Sequence, residues 1–328
     1  MWPPDRDLAS WLQRRGVSEI SPLKGDASRR RYYRLSWQGR RAILMDCRTD
    51  PACGIRFCRL AERFRKGGVR VPEVYEADEA AALFLLEDFG PCHYLDRLSS
   101  DPAGADPLYK RALSTLEQIQ SLPTSRLPLY GADLLERELE LFRIWAAEGL
   151  WQSTLPRRAW ESAKAILIQN ALSQPYVPVH RDYHSRNLMV LEGEVPGVLD
   201  FQDALLGPVT YDLVSLLRDC YIAWPEGRVA AWRERFRLRL RQRGMEIPPE
   251  RFRRWFDLMG VQRHLKAVGI FARLALREGK RRYLADVPRT LRYLETVAGR
   301  YDDLSSLSDI IRKICRCSSG VEQLIRNQ

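Results

Sequence analysis

The sequence predicts an α+β chain in two lobes, a small β-rich front followed by a larger, mostly helical remainder. Three observations carry that expectation. Alternating apolar residues and turn signals crowd the chain up to Leu86, whereas patterns of helical period dominate from Leu108 onward. Within the helical part stands one polar stretch, His180-Arg181-Asp182-Tyr183-His184-Ser185-Arg186-Asn187. It is followed by the apolar run Gly197-Val198-Leu199 and then Asp200.

Taken in order, Asp7 to Arg15 places Leu8, Trp11 and Leu12 on one face and ends at Gly16, a short amphipathic helix. Tyr32-Tyr33-Arg34-Leu35 alternates, Gln38-Gly39 marks a turn, and Ala42-Ile43-Leu44-Met45 is the partner strand. The polar loop before this hairpin, Lys24 to Arg29, offers backbone N–H groups that suit phosphate oxygens. With one glycine, Gly25, an ordinary hairpin turn fits it equally well. Phe57 to Lys66 reads as a helix closed by Gly67-Gly68. Val71 to Asp78 and Ala82 to Leu86 read as strands, the second running into Glu87-Asp88-Phe89-Gly90.

Helices are expected over Leu108 to Gln120, Asp133 to Glu148 and Pro156 to Ala171, with Asp133 as an N-cap and Leu134, Leu135, Leu139 and Phe142 as an apolar stripe. Pro175 to Val179 is extended, as its prolines favour. Leu188 to Leu191, a turn at Glu192-Gly193-Glu194, and Val198-Leu199 form a small hairpin, expected to set Asn187 and Asp200 on neighbouring strand ends. Asp212, at the start of the helix from Tyr211, either caps that helix or reaches back to the N–H groups of the 180–187 loop. The second reading is preferred, because such a loop needs an internal acceptor. Arg253 to Arg277 and Pro288 to Val297 are further helices. Asp302 to Gln328 shows no sustained apolar period and reads as a disordered tail. The expected divisions are therefore 1–88, 89–301 and 302–328.

Composition narrows the class. The chain has 328 residues, 45% apolar and 29% charged, which fits a globular protein with a sizeable core. Its seven cysteines are scattered and odd in number, so no disulfide framework is expected. No run approaches a membrane span, and Met1-Trp2-Pro3-Pro4-Asp5 is unlike a secretory leader, so a cytoplasmic location is expected. The net charge is +11. Between Glu226 and Arg300, Lys and Arg outnumber Asp and Glu by 20 to 8, which accounts for the surplus. Trp232, Phe236 and Leu240 share one face of a helix there. Solvated arginines on helix exteriors explain the charge better than a nucleic-acid surface does.

The chemistry sits in the polar stretch. Asp182, Asn187 and Asp200 follow one another at spacings of 5 and 13 residues. Phosphoryl transfer from a nucleotide needs one carboxylate to orient an attacking hydroxyl and take its proton. It also needs an amide oxygen and a second carboxylate to hold magnesium on the phosphates. The competing reading is a polar loop whose His, Asp and Asn merely cap turns. The pattern H-x-D-x-x-x-x-N with a following strand-end Asp favours the first.

With these residues in hand, the chain resembles the aminoglycoside phosphotransferase branch of the protein-kinase-like superfamily. Leu85 to Gly90, Glu136 to Phe142, His180 to Met189, Leu199 to Ala204 and Tyr211-Asp212-Leu213 are similar, within that branch, to the bacterial cell-wall-recycling sugar kinases. The likeness spans roughly residues 5 to 300, and several motifs in order weigh more than one. It implies a bilobal fold, ATP and Mg2+ as cofactors, and phosphorylation of the anomeric hydroxyl of N-acetylmuramate and N-acetylglucosamine in peptidoglycan recycling.

By that resemblance Asp182 is the catalytic base, and Asn187 and Asp200 are the metal ligands. The loop bearing Gly25, Ser28 and Arg29 covers phosphates, and the backbone from Glu87 to Phe89 holds adenine. His180 fixes the loop. His184, Asp203 and Trp224 are candidates for sugar contacts, each equally readable as a packing or capping residue. Arg181 and Arg186 are candidates for phosphate or a muramyl carboxylate. The strand Ala42 to Asp46 lacks the lysine that many kinases use; Lys24, Arg29 or Arg41 would replace it, or the loop backbone suffices, and Glu62 on the next helix has no assigned partner. The alternatives are an aminoglycoside or other small-molecule hydroxyl kinase and, less favoured, a basic binding pseudokinase. A small-molecule sugar partner, no nucleic acid, no membrane and a monomeric chain complete the expectation.

Overall fold

The computed structural model describes residues 5–17, 19–23, 30–193 and 195–317. The chain divides into two compact units, one of residues 1–92 with 189–202, the other of 93–188 with 203–328. The expected boundary falls after 88, whereas the first of these units runs to 92 and takes in the segment 189–202.

In the first unit a five-stranded antiparallel sheet has the order β1-β2-β3-β5-β4. The strands are β1 Ile20–Pro22, β2 Arg31–Trp37, β3 Arg40–Asp46, β4 Val74–Asp78 and β5 Leu83–Glu87. Helix α1, Arg6–Gln13, buries Leu8, Trp11 and Leu12 against Tyr33, Leu35, Ala42, Leu44, Leu83 and Leu85. Helix α2, Pro51–Lys66, packs so closely on Phe84 that Gly54 has no room for a Cβ. Covered on both sides, β5 is a continuous apolar run rather than an alternating one. Phe201, returning with the 189–202 segment, stacks on Phe64 and meets Phe57 at a tilt, both on α2.

The second unit is helical: α3 Tyr94–Ser100, α4 Ala105–Gln120, α5 Ala132–Leu141, α6 Arg157–Leu172, α7 Tyr211–Leu217, α8 Glu226–Gln242, α9 Pro249–Glu278, α10 Val287–Ala298 and α11 Ser305–Cys317. Its strands Tyr176–Val179 and Leu205–Pro208 pair antiparallel. The N-cap of α5 is Gly131, and Asp133 lies inside the first turn, where a carboxylate still complements the helix dipole. The chain then widens into a π-helical stretch, Phe142–Leu150. Helix α9 runs through the core, buried on most of its circumference from Phe256 to Lys266, and ends at Gly279 in left-handed conformation.

The expected disordered tail is corrected as far as Cys317. Helix α11 packs Leu307, Ile310, Ile311 and Ile314 into the same core as α6, α9 and α10. These four recur at i, i+3, i+4 and i+7, a helical period that the sequence reading passed over. Residues 318–328 lie outside the described part.

Two glycines of α9 make opposite predictions. A Cβ on Gly269 would lie 2.4 Å from the Leu141 carbonyl carbon and 2.6 Å from the Phe142 amide nitrogen, backbone atoms that cannot rotate away. At Gly260 the nearest atoms are ordinary contacts at 3.5 and 3.7 Å. Gly269→Ala is expected to cost at least about 3 kcal/mol of stability, as overpacking against a rigid neighbour does. Gly260→Ala is expected to be neutral, or to gain up to about 1 kcal/mol from helix propensity. Urea denaturation of both variants checks the contrast.

Candidate active site

The loop 180–187 leaves the strand Tyr176–Val179 and is held from within the second unit. Asp212, on α7, accepts the His180 N–H at 2.6 Å and the Arg181 N–H at 3.0 Å, as preferred from the sequence. Burial pushes its carboxyl up to about 7, against those two donors and the nearby Arg263. His180 is fully buried, and its Nδ1 accepts the Asp182 N–H at 3.3 Å, so it fixes the loop. Asp219 accepts the Ser185 N–H at 2.9 Å and its hydroxyl at 2.6 Å. Asn187 donates its side-chain N–H to the Asp182 carbonyl at 2.9 Å, which leaves the amide oxygen as its remaining polar atom. Arg181 lies at φ 80, a left-handed conformation unusual for a branched or long side chain, and such strain gathers at working loops.

Asp182 opens into a pocket of the second unit lined also by His184, Tyr211, Cys220, Tyr221, Arg263, Lys266 and Phe271. Helix α9 supplies the two cations, three residues apart and so on one face. Lys266 Nζ pairs with Glu138 Oε1 at 3.0 Å and donates to Tyr211 Oη at 3.0 Å. Glu138 also receives Arg181 Nη2 at 2.6 Å, Gln262 Nε2 at 3.3 Å and the Tyr130 hydroxyl. Burial alone would raise the Asp182 carboxyl. It is outweighed by Lys266, His184, Arg263 and Arg181, which hold the group down at about 2. An ionised carboxylate beside aromatic faces and cations is the chemical content of this pocket.

Of the expected sugar contacts, His184 lines the pocket, its ring edge-on to Tyr221. Asp203 and Trp224 are not among the lining residues. Asp203 is exposed, and Trp224 donates its Nε1–H to Tyr109 Oη at 2.7 Å and meets Trp232 edge-on. Tyr221 and Phe271 supply the aromatic faces instead. Sequence reading missed them, together with Arg263, Lys266 and Glu138. The available signal was the cluster of polar residues inside an otherwise core-like helix, Gln262 to Lys266.

In the first unit, Asp200 stands two residues beyond the short strand Gly197–Val198, at φ 62. Its Oδ1 accepts Arg30 Nη2 at 2.8 Å and Gln202 Nε2 at 2.9 Å, while the side chain stays 40% exposed. Strand β3 has no lysine, and Asp46 in it is taken by Arg48. Arg30, which the sequence reading passed over, is the cation beside Asp200. Glu62 pairs with Lys66 at 2.6 Å on the surface of α2, which excludes it from this site. The Glu87 carboxylate binds Arg70, and its N–H is spent on the Glu73 carbonyl at 2.9 Å. A purine edge at Glu87 to Phe89 would have to use other backbone groups. Phe89 is packed over Gly197. Gly25, Ser28, Arg29 and Lys24 lie outside the described residues.

Comparison with known proteins makes this chain an enzyme that transfers a phosphoryl group from ATP to a hydroxyl. The chain belongs to the phosphotransferase enzyme family, which it matches over residues 19–255. It is 43% identical over 307 residues to the N-acetylmuramate/N-acetylglucosamine kinase of Pseudomonas aeruginosa, covering 90% of this chain and 89% of that one. It is 37% identical over 312 residues to the enzyme of the same name from Neisseria meningitidis, covering 92% of each. Among solved structures it is similar to an ADP-bound aminoglycoside phosphotransferase, with a TM-score of 0.61 and 12% identity over 88% of this chain and 98% of that one. A choline kinase from Streptococcus pneumoniae gives 0.60 and 12% over 89% and 100%. The fold is protein-kinase-like, as expected. Among the described residues, no helix is long and apolar enough to cross a membrane.

Proposed function

We propose that this chain is an ATP-dependent kinase that phosphorylates the anomeric hydroxyl of N-acetylmuramate and N-acetylglucosamine, serving the reuse of peptidoglycan sugars in the cytoplasm. The observation that carries the reading is the Asp182 carboxylate, ionised in a pocket of aromatic faces and two cations. The relatives' names supply the sugars. The sugar O1–H donates to Asp182, O1 bonds to the γ-phosphorus, the bond to the ADP oxygen breaks, and the proton passes to Asp182. An anomeric hydroxyl is more acidic than an ordinary alcohol, so a weak base suffices. The transition state is loose, so orienting O1 is the larger part of the work.

The donors suit magnesium. Asp200 offers an exposed carboxylate and Asn187 an amide oxygen, the hard oxygen ligands that this ion takes. When bound, the ion neutralises charge on the phosphates. Arg30 then carries the positive charge that β3 lacks, and the 24–29 loop and the backbone after Glu87 hold the remainder of ATP. A single chain holds every residue invoked, so we take the enzyme as a monomer. Polycationic acceptors are disfavoured by Arg263 and Lys266 in the pocket.

The test is an acceptor panel of N-acetylmuramate, N-acetylglucosamine, kanamycin and choline with Mg-ATP. Phosphate transfer to both amino sugars, giving an alkali-stable, acid-labile 1-phosphate, is expected. Transfer to kanamycin or choline alone would remove the proposal.

A further inference from the structure

Four cations stand on or beside the acceptor pocket, and three are already committed. Arg181 is held by Glu138 at 2.6 Å, and Lys266 by the same carboxylate at 3.0 Å. Arg186 lies over the Tyr221 ring at 3.8 Å, with Asp286 at 3.8 Å. Arg263 differs. Its residue is 6% exposed, yet among the described residues its hydrogen-bonding partner is the weak acceptor Cys220 Sγ at 3.8 Å, and its Nε has none. No carboxylate of the described residues stands within ion-pair distance of it. Burying a guanidinium without a paired anion is costly, and a native structure keeps such a group where something completes it.

We infer that Arg263 receives a carboxylate carried by the acceptor. The inference rests on the proposed sugar-kinase reading and deepens it. Of the two proposed sugars, N-acetylmuramate bears an acidic lactyl ether and N-acetylglucosamine a plain hydroxyl at the same carbon. Arg263 is therefore the residue that separates them. A planar guanidinium presents two parallel donors to a carboxylate, a match an ammonium cannot reproduce. Arg181 and Arg186, the sequence candidates for this role, already have carboxylate partners.

Two measurements decide it. The first is the ratio of kcat/KM for N-acetylmuramate to that for N-acetylglucosamine in wild type, Arg263→Lys and Arg263→Gln. Both sugars share any cost of the altered field at Asp182, so the ratio isolates the carboxylate. It is expected to fall on the order of a hundredfold in Arg263→Gln, mainly through KM, and less in Arg263→Lys. An equal loss with both sugars means that Arg263 serves only charge balance with Asp182 and Asp219, and overturns the inference. The second is calorimetric binding of N-acetylmuramate and of its carboxamide, without nucleotide. Wild type is expected to prefer the acid, and Arg263→Gln to lose that preference; no preference in wild type overturns the inference. Should wild type phosphorylate neither sugar, the assigned reaction fails while the binding comparison still decides the role of Arg263.

Discussion

Asp182→Asn is expected to lower kcat by about three orders of magnitude while leaving the melting temperature within a few degrees of wild type. The side chain keeps its shape, and the contacts bracing the loop run through the backbone of Asp182, to His180 Nδ1, His184 N and Asn187 Nδ2, all of which survive the change. What is lost is the charge that aligns the sugar hydroxyl and ends by holding its proton. The pH dependence follows from the same environment. Surrounding cations hold the carboxyl at about 2, so the ionised form is complete at neutral pH and is lost only as pH falls through that value. The contribution of Asp182 should therefore be flat from pH 8 down to about 4. A wild-type acid limb centred between 5 and 7 that disappears in the variant would show the carboxylate titrating near neutrality, and would sink this electrostatic account.

The sequence made this loop readable because the reaction fixes residue types at set spacings, and spacing survives without a structure. Asp212 was readable for a related reason: a loop of exposed N–H groups needs an acceptor, and the next helix begins with one. The strands and α1 were equally open, since short apolar runs between turn signals mark strands and a surface helix must show a stripe. Helix α9 hides its function for the opposite reason. Buried on nearly all sides, it has no polar face to set Arg263 and Lys266 apart from solvated arginines, and the basic surplus of its surroundings camouflages them. Trp224 is not among the residues that line the Asp182 pocket, since an aromatic near a site in sequence has many aromatic neighbours to pack against. Here those are Tyr109 and Trp232. Residues 189–202 return to the first unit through tertiary contacts such as Phe201 on α2, which no local pattern encodes.

Loss of charge at Asp200 should be nearly as damaging as loss of Asp182, for a separate reason. Asp200 adopts φ 62, where Asn is tolerated and a β-branched residue is not, so Asp200→Asn removes the charge without straining the backbone. Among the described residues, Arg30 and Gln202 both donate to Oδ1, and the 40% exposed side chain leaves Oδ2 for a cation. An amide retains one oxygen but no charge, and hard divalent ions bind charge first. The variant is expected to bind Mn2+ in the presence of ADP at least about tenfold more weakly by electron paramagnetic resonance, and to lose on the order of a hundredfold in kcat. Arg30→Met provides the counterpart. It removes a cation that competes for the Asp200 carboxylate, so Mn2+ binding should hold or strengthen, while KM for ATP rises because the phosphates lose their arginine. If Asp200→Asn binds Mn2+ like wild type, Asp200 is a partner for Arg30 and nothing more. If Arg30→Met weakens Mn2+ binding as much as Asp200→Asn does, the ion pair is a structural clasp rather than two halves of a phosphate site.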